Sequence, residues 1–485
     1  MQTASPDYNK KWQAFLAVAI GIFLATVDGS IVNIILPTLV KTFKTDFAII
    51  QWVVVGYLLT VTTLMITIGR LADILGKKPL YTAGFIIFTL GSGLCALSPS
   101  VFWLIAFRVL QALGAAMIMA LGMAIVTEAF PGKERGKALG MIGSIVSIGI
   151  IIGPALGGLI LSITTWHWVF IVNIPVGIFG IYIVVRFVPN SQPTGNQKFD
   201  YLGAITFFIS VISLLLALTF GQTSGFSHPS VLILSITWFL FLIVFIYIEY
   251  QSDYPMIDLK IFQNTIFSVN LSNAFFTFIA VSGLFILFPF YLENILGLEI
   301  FLVGLLLGVV PIMLGIVSPI SGILSDRYGS RQIAFLGLLV LIGGYAAIST
   351  LNENTTIWVY ILCVLPMGIG MGLFQSPNNS AIMGAVSRDK LGVTSGLLSV
   401  SRTLGQTIGI ATLGAFWSFR TLNYQGGTTI ISATSAAKVH QVKGLQEMSW
   451  LITALIALAL ILHLVGWYRE FNIEKSKNKI KPPKH

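Results

Sequence analysis

The chain has 485 residues, of which 56% are hydrophobic and only 9% charged, and its formal net charge is +10. A soluble domain carries about 25% charged residues, so this composition argues against one and for a polytopic membrane protein. Cys95 and Cys363 both lie in apolar runs, which indicates neither a disulfide framework nor a zinc site.

A span needs about 20 mostly apolar residues. On that basis helices are predicted near 12–36, 48–69, 79–97, 101–127, 137–162, 167–188, 199–219 and 230–250. Six more follow near 266–291, 300–324, 332–351, 356–386, 391–417 and 448–468, about fourteen in all. The first run is too long, and too polar at Asp28 and Asn33, for a cleaved signal peptide. The basic residues alternate between loops. With the N-terminus taken as cytoplasmic, 21 of the 28 Lys and Arg fall on that side and 5 on the other, while Arg108 and Arg402 lie within spans. The positive-inside rule then puts both termini in the cytoplasm of a plasma or inner membrane protein. A basic charge spread over many short loops is a topology signal, so no nucleic-acid partner is expected.

The first span places Asp28, Ser30 and Asn33 inside an otherwise apolar helix. A charge near a helix centre in lipid costs roughly 2.5–3.5 kcal/mol on insertion scales. Asp28 therefore needs a partner, a wet cavity or a proton. Depth supplies a candidate: Asp28 lies about 12 Å below the outer end of its span, and Arg108 about 10 Å below the outer end of the fourth. Pairing favours the ionised carboxylate and loss of water favours the neutral acid, so separating the two would let Asp28 take up and release a proton. The alternative is a permanent structural ion pair. Arg108 and Gln111, at i and i+3, share one helix face.

Between the second and third spans lies the tight basic loop Gly69-Arg70-Leu71-Ala72-Asp73-Ile74-Leu75-Gly76-Lys77-Lys78-Pro79. Its glycines permit the turn, and Asp73 can cap the positive end of a neighbouring helix. This predicts a cytoplasmic latch, against the simpler reading of a topology anchor. In the fifth span, Gly149, Gly153 and Gly157 line one face for close helix approach, with Pro154 and Gly158 beside them. Pro154 favours a kink. The polar stretch 189–198 reads as a linker.

Glu293, near the outer end of the ninth span, reads either as a solvated surface residue or as a group at a cavity mouth. Arg402, about 17 Å into the thirteenth span, could attract anionic substrate groups or bond neighbouring carbonyls. The external loop at about 418–447 carries no defensible binding motif, and the five histidines are scattered singly.

The chain also repeats itself. Gly69, Leu71, Asp73, Gly76 and Lys78 recur as Gly322, Leu324, Asp326, Gly329 and Arg331, an offset of 253 residues. Gly136, Gly140, Gly149, Gly153 and Gly158 recur as Gly392, Gly396, Gly405, Gly409 and Gly414, an offset of 256. Two homologous six-helix bundles account for this, at 1–188 and 266–468, with a linker and two inserted helices at 189–265 and a basic cytoplasmic tail at 469–485. Duplicated bundles with a central site are a common construction of secondary transporters.

Taken together, these motifs resemble the major facilitator superfamily and, within it, the fourteen-helix drug:proton antiporters. Gly69–Lys78 is similar to the superfamily's cytoplasmic loop signature. Arg108, Gln111 and Gly114 resemble its fourth-helix motif, and Gly149, Gly153, Pro154, Gly157 and Gly158 its fifth-helix antiporter motif. Asp28, Ser30, Ile31, Val32, Asn33, Leu36 and Pro37 resemble the first-helix motif of the drug antiporters. The segments Trp166–Gly177 and Phe199–Gly203 look like features of the fourteen-helix branch. The chain departs from the pattern at Ile74, Ala112, Ile35 and Glu293, where relatives often have Arg, Gly, Ala and Gln.

The resemblance implies an all-α membrane protein with two six-helix bundles plus two inserted central helices. It implies proton-coupled export of amphipathic compounds, cationic ones included, by alternating access. Asp28, Arg108 and Glu293 would handle the proton, and Asn33, Gln111 and Arg402 would line the substrate cavity. Gly69, Asp73, Gly76, Lys77, Lys78 and the fifth-helix motif would control the conformational change. A specific exporter of one metabolite, lipid or siderophore is the alternative on the same scaffold, and a non-transporting membrane sensor the contrasting class. No GxxxxGK[ST] loop, HExxH or nucleophile elbow is present, so neither enzyme activity nor a cofactor or metal is expected. The expected partners are a small-molecule substrate, protons and the lipid bilayer, with the protein a monomer.

Overall fold

The structure, a computed structural model, describes residues 10–45, 47–50, 52–189, 199–424, 433 and 436–480. Nine of the ten linker residues, most of the loop at 425–435 and the last five residues of the tail thus lie outside the described residues. Among the described residues every regular element is helical. In chain order these are α1 (Lys11–Phe43), α2 (Phe47–Ile50), α3 (Trp52–Leu75), α4 (Lys77–Ala96), α5 (Val101–Ala129), α6 (Arg135–Ile163), α7 (Trp168–Ile171), α8 (Asn173–Phe187), α9 (Tyr201–Ser224) and α10 (Pro229–Gln251). Then come α11 (Thr265–Phe290), α12 (Ile300–Leu307), α13 (Val309–Tyr328), α14 (Ser330–Ile348), α15 (Ile357–Gly384), α16 (Leu391–Tyr424) and α17 (Lys438–Ile480).

Thirteen of the described helical segments are long and apolar enough to cross a membrane. The remaining expected span, the thirteenth at 391–417, falls in α16, whose 34 residues are ample in length but interrupted by Ser395, Ser399, Ser401, Arg402, Thr403 and Gln406. Local chemistry sets several ends. Asn264 caps α11 by accepting from the amides of Ile266 and Phe267, and Asp200 caps α9 by accepting from Gly203. Pro229 opens α10, where its missing N–H costs nothing. Pro289 precedes a π-helical turn, Tyr291–Ile295, that ends α11.

The chain divides into two compact units, residues 1–258 with 386–400, and residues 259–385 with 401–485. The inserted pair α9 and α10 groups with the first unit, α9 against α3 and α10 against α9. Residues 386–400, which the sequence assigns to the second bundle, also group with the first unit. The reason is local: Lys390 pairs with Asp258 at 2.6 Å, and Gly392 and Gly396 abut the backbone of α3 at Gly69 and Met65.

Within each unit the duplication is visible as repeated close packing. In the first unit Gly84 and Gly114 let α4 and α5 touch backbone to backbone, and Gly91 faces Gln111. In the second, Gly337 and Gly370 do the same for α14 and α15, and Gly344 faces Met367. The turns repeat as well: Gly76 has φ 95° and ψ 146°, Gly329 φ 96° and ψ 141°. Only glycine adopts this conformation without strain.

Candidate functional site

α1 carries Asp28 to a fully buried position in the first unit, and α5 brings Arg108 and Gln111 to meet it. Arg108 Nη1 donates to Asp28 Oδ2 at 2.6 Å, and Gln111 Nε2 donates to Oδ1 at 2.9 Å. The pairing expected from depth alone is therefore formed. Gln111 also locks the arrangement internally: its Oε1 accepts from Arg108 at 2.6 Å and from the Cys95 thiol, and its Nε2 donates to Ser92 Oγ at 2.7 Å. Arg108 Nε donates to the Val53 carbonyl on α3, and its guanidinium lies 4.1 Å from the centre of the Tyr57 ring.

A third donor was not singled out from the sequence. Asn173 Nδ2, at the start of α8, reaches Asp28 Oδ1 at 2.9 Å. Its signal was present, since Asn173 stands in the Trp166–Gly177 stretch that carries the fourteen-helix resemblance. Arg108, Gln111 and Asn173 together supply three N–H donors to the two oxygens of the Asp28 carboxylate. Neutralising it alone would leave the Arg108 guanidinium buried without a counter-charge, a cost of about 3–5 kcal/mol.

The fifth-helix glycines lie directly against the helix that bears Asp28. A Cβ at Gly149 would come within 2.9 Å of Thr26, one at Gly153 would collide with Ser30, and one at Gly157 would come within 2.9 Å of Ile31. Ser30 Oγ also donates to the Gly149 carbonyl. Gly158 is different: a Cβ there meets nothing within 4 Å, so close packing does not explain it. Helix α6 runs through Pro154, whose side chain lies outside the described residues.

At the loop signature, Asp73 accepts from the amides of Gly392 (2.9 Å) and Val393 (3.0 Å), the first turn of α16. It thus caps a helix N-terminus distant in sequence. Lys77 bridges Asp73 at 3.3 Å and Glu128 at 2.8 Å. A Cβ at Gly69 would run into the Gly392 backbone. Lys78 is half-buried and makes no ion pair among the described residues.

Two expected site residues join no cluster. Asn33 is exposed and, among the described residues, reaches only the Gly29 carbonyl of its own helix, at 3.4 Å. Glu293 is exposed in the π turn, without an ion pair among the described residues. Arg402 lies in the second unit, where Nη2 donates to the Asn379 side-chain oxygen at 3.0 Å rather than to a backbone carbonyl. Among the described residues no group of three or more His, Cys, Asp or Glu is placed to hold a metal ion.

Two duplicated helical units, membrane-spanning helices throughout and a buried acid–guanidinium cluster define a polytopic membrane transporter. The chain belongs to the Major Facilitator Superfamily, whose pattern it matches over residues 18–410. It is 34% identical to the riboflavin transporter RibZ of Clostridioides difficile (strain 630), over 94% of this chain and 97% of the relative. It is 32% identical to the multidrug transporter protein MdtP of Bacillus subtilis (strain 168), over 86% of this chain and 77% of that protein. Among solved structures its fold is similar to that of the proton:xylose symporter XylE, with a TM-score of 0.64 at 11% identity over 92% of this chain and 95% of that one.

Proposed function

We propose that this chain is a proton-coupled multidrug exporter that moves amphipathic compounds, cationic ones included, out of the cell by alternating access. One observation carries the reading: a fully buried Asp28 held by Arg108, Gln111 and Asn173 within one unit. Protonation from outside releases the carboxylate from Arg108, and deprotonation inside restores the pair, with substrate moving the other way. One proton crossing 100 mV supplies about 2.3 kcal/mol, enough to sustain a useful substrate gradient. The Asp73 cap on α16 serves as the catch that is made and broken in the cycle. Both termini face the cytoplasm, and the protein resides in the plasma membrane as a monomer.

The relative named as a riboflavin transporter supports a second reading, export of one specific metabolite on the same scaffold. A substrate panel in proteoliposomes with an imposed pH gradient, scoring substrate and proton movement together, separates the two. Asp28→Asn is expected to abolish gradient-driven efflux while the protein still inserts. Unchanged efflux would remove Asp28 from the coupling.

A further inference from the structure

The second unit holds a buried polar cluster that the proton-handling account leaves unused. Arg402 on α16 is partly buried, and among the described residues only one of its five N–H donors is engaged, by Asn379 Oδ1 on α15. Its Nε is enclosed without an acceptor, and among the described residues no carboxylate pairs with it. The guanidinium lies 5.4 Å from the centre of the Phe278 ring on α11. Gln375, four residues before Asn379 and so on the same helix face, has its Oε1 buried without a partner.

The fold does not require this cluster. Gly149 and Gly153 meet Thr26 and Ser30 as Gly405 and Gly409 meet Phe278 and Ser282, and Gly84 and Gly114 pair as Gly337 and Gly370 do. In that register Phe278, Gln375, Asn379 and Arg402 stand where the first unit has Thr26, Met119, Met123 and Val146. The first unit builds the same packing without a cation there.

An unpaired guanidinium at membrane depth is costly, and its unused donors form a planar fork that matches a carboxylate bidentately. We propose that Arg402, with Asn379 and Gln375, is a substrate subsite for planar organic anions, in which a carboxylate docks on the guanidinium and an attached ring lies beside Phe278. As a substrate subsite it rests on the export reading, and it extends the substrate class to amphipathic compounds that bear an anionic group.

The test is equilibrium dialysis of the full-length protein in lipid nanodiscs against 2-naphthoate and its uncharged carboxamide, 2-naphthamide, with empty nanodiscs as background. The wild type is expected to hold the naphthoate at least about tenfold more tightly. Arg402→Gln should erase that preference, and Arg402→Lys, which keeps the charge but loses the fork, should leave only part of it. Equal binding of the two probes by the wild type overturns the proposal, as does a full anion preference in either variant. Should the Gln variant fail to fold, the wild-type comparison and the Lys variant decide. Binding is read without a pH gradient, so a failure of gradient-driven efflux counts against the export reading alone.

Discussion

Asp28, Arg108, Gln111 and Asn173 form one energetic unit, because each satisfies a group that would otherwise be buried and unpaired. Arg108→Gln should therefore lower the unfolding free energy in detergent by about 3–5 kcal/mol, since it strands the carboxylate. Adding Asp28→Asn should recover much of that loss, and simple additivity in the double-mutant cycle would show that the pair is not the unit. This pair was legible in the sequence because two charges in apolar helices advertise themselves, and helix rise converts their positions to depths. Asn173 was harder to see. A neutral amide at a helix start costs little anywhere, and only the packing of α8 aims it at Asp28. Glu249 is the converse case, an acid inside an apolar run that is open to the same reasoning as Asp28. It proves to be buried on α10, accepting from the Ile257 amide.

The helices explain why the glycines sit where they do. Along α6 the spacing of four puts Gly149, Gly153 and Gly157 on the face that meets α1, so a methyl group at 153 must displace Ser30 and the backbone beside it. Gly153→Ala is expected to cost about 1–3 kcal/mol in thermal or denaturant stability, as overpacking does. Gly158→Ala, facing open space, should leave stability unchanged or slightly improve it through higher helix propensity. Equal losses in both variants would reject a packing role specific to the α1 face. Spacing alone could place Gly158 beside this face but could not say that nothing lies opposite, since that depends on the neighbouring helix.

For the whole chain, the span count and the duplication were legible because hydropathy and glycine spacing are properties of the chain itself. The grouping of 386–400 with the first unit was not, because it arises from the contacts of Asp73 and Asp258 with groups far away in sequence. The duplication also kept packing while chemistry diverged. Asp28, Arg108 and Gln111 correspond in register to Ala280, Val364 and Met367, all buried and apolar. Orientation in the bilayer has its own test. In a protein lacking Cys95 and Cys363, a single cysteine placed at Lys477 should react with an impermeant maleimide only after the cytoplasmic face is opened. Labelling of intact cells would overturn the proposed orientation.

Helix α10 leads to a consequence of a different kind. Its 23 residues span about 34 Å, and only 11% of its apolar stretch is buried inside the protein, with α9 its principal neighbour. Side chains such as Ile233, Ile236, Phe239, Leu240 and Tyr247 are left to the surrounding acyl chains. What holds such a helix upright is less the protein than the fit of its length to the hydrocarbon thickness, about 30 Å in a typical bilayer. A thinner bilayer is accommodated by tilt, a kink or local thickening of the bilayer, at a cost of fractions of a kcal/mol per Å. The acyl-chain length of the host membrane thus acts directly on the inserted pair and, through α9, on α3, the helix that carries the loop signature.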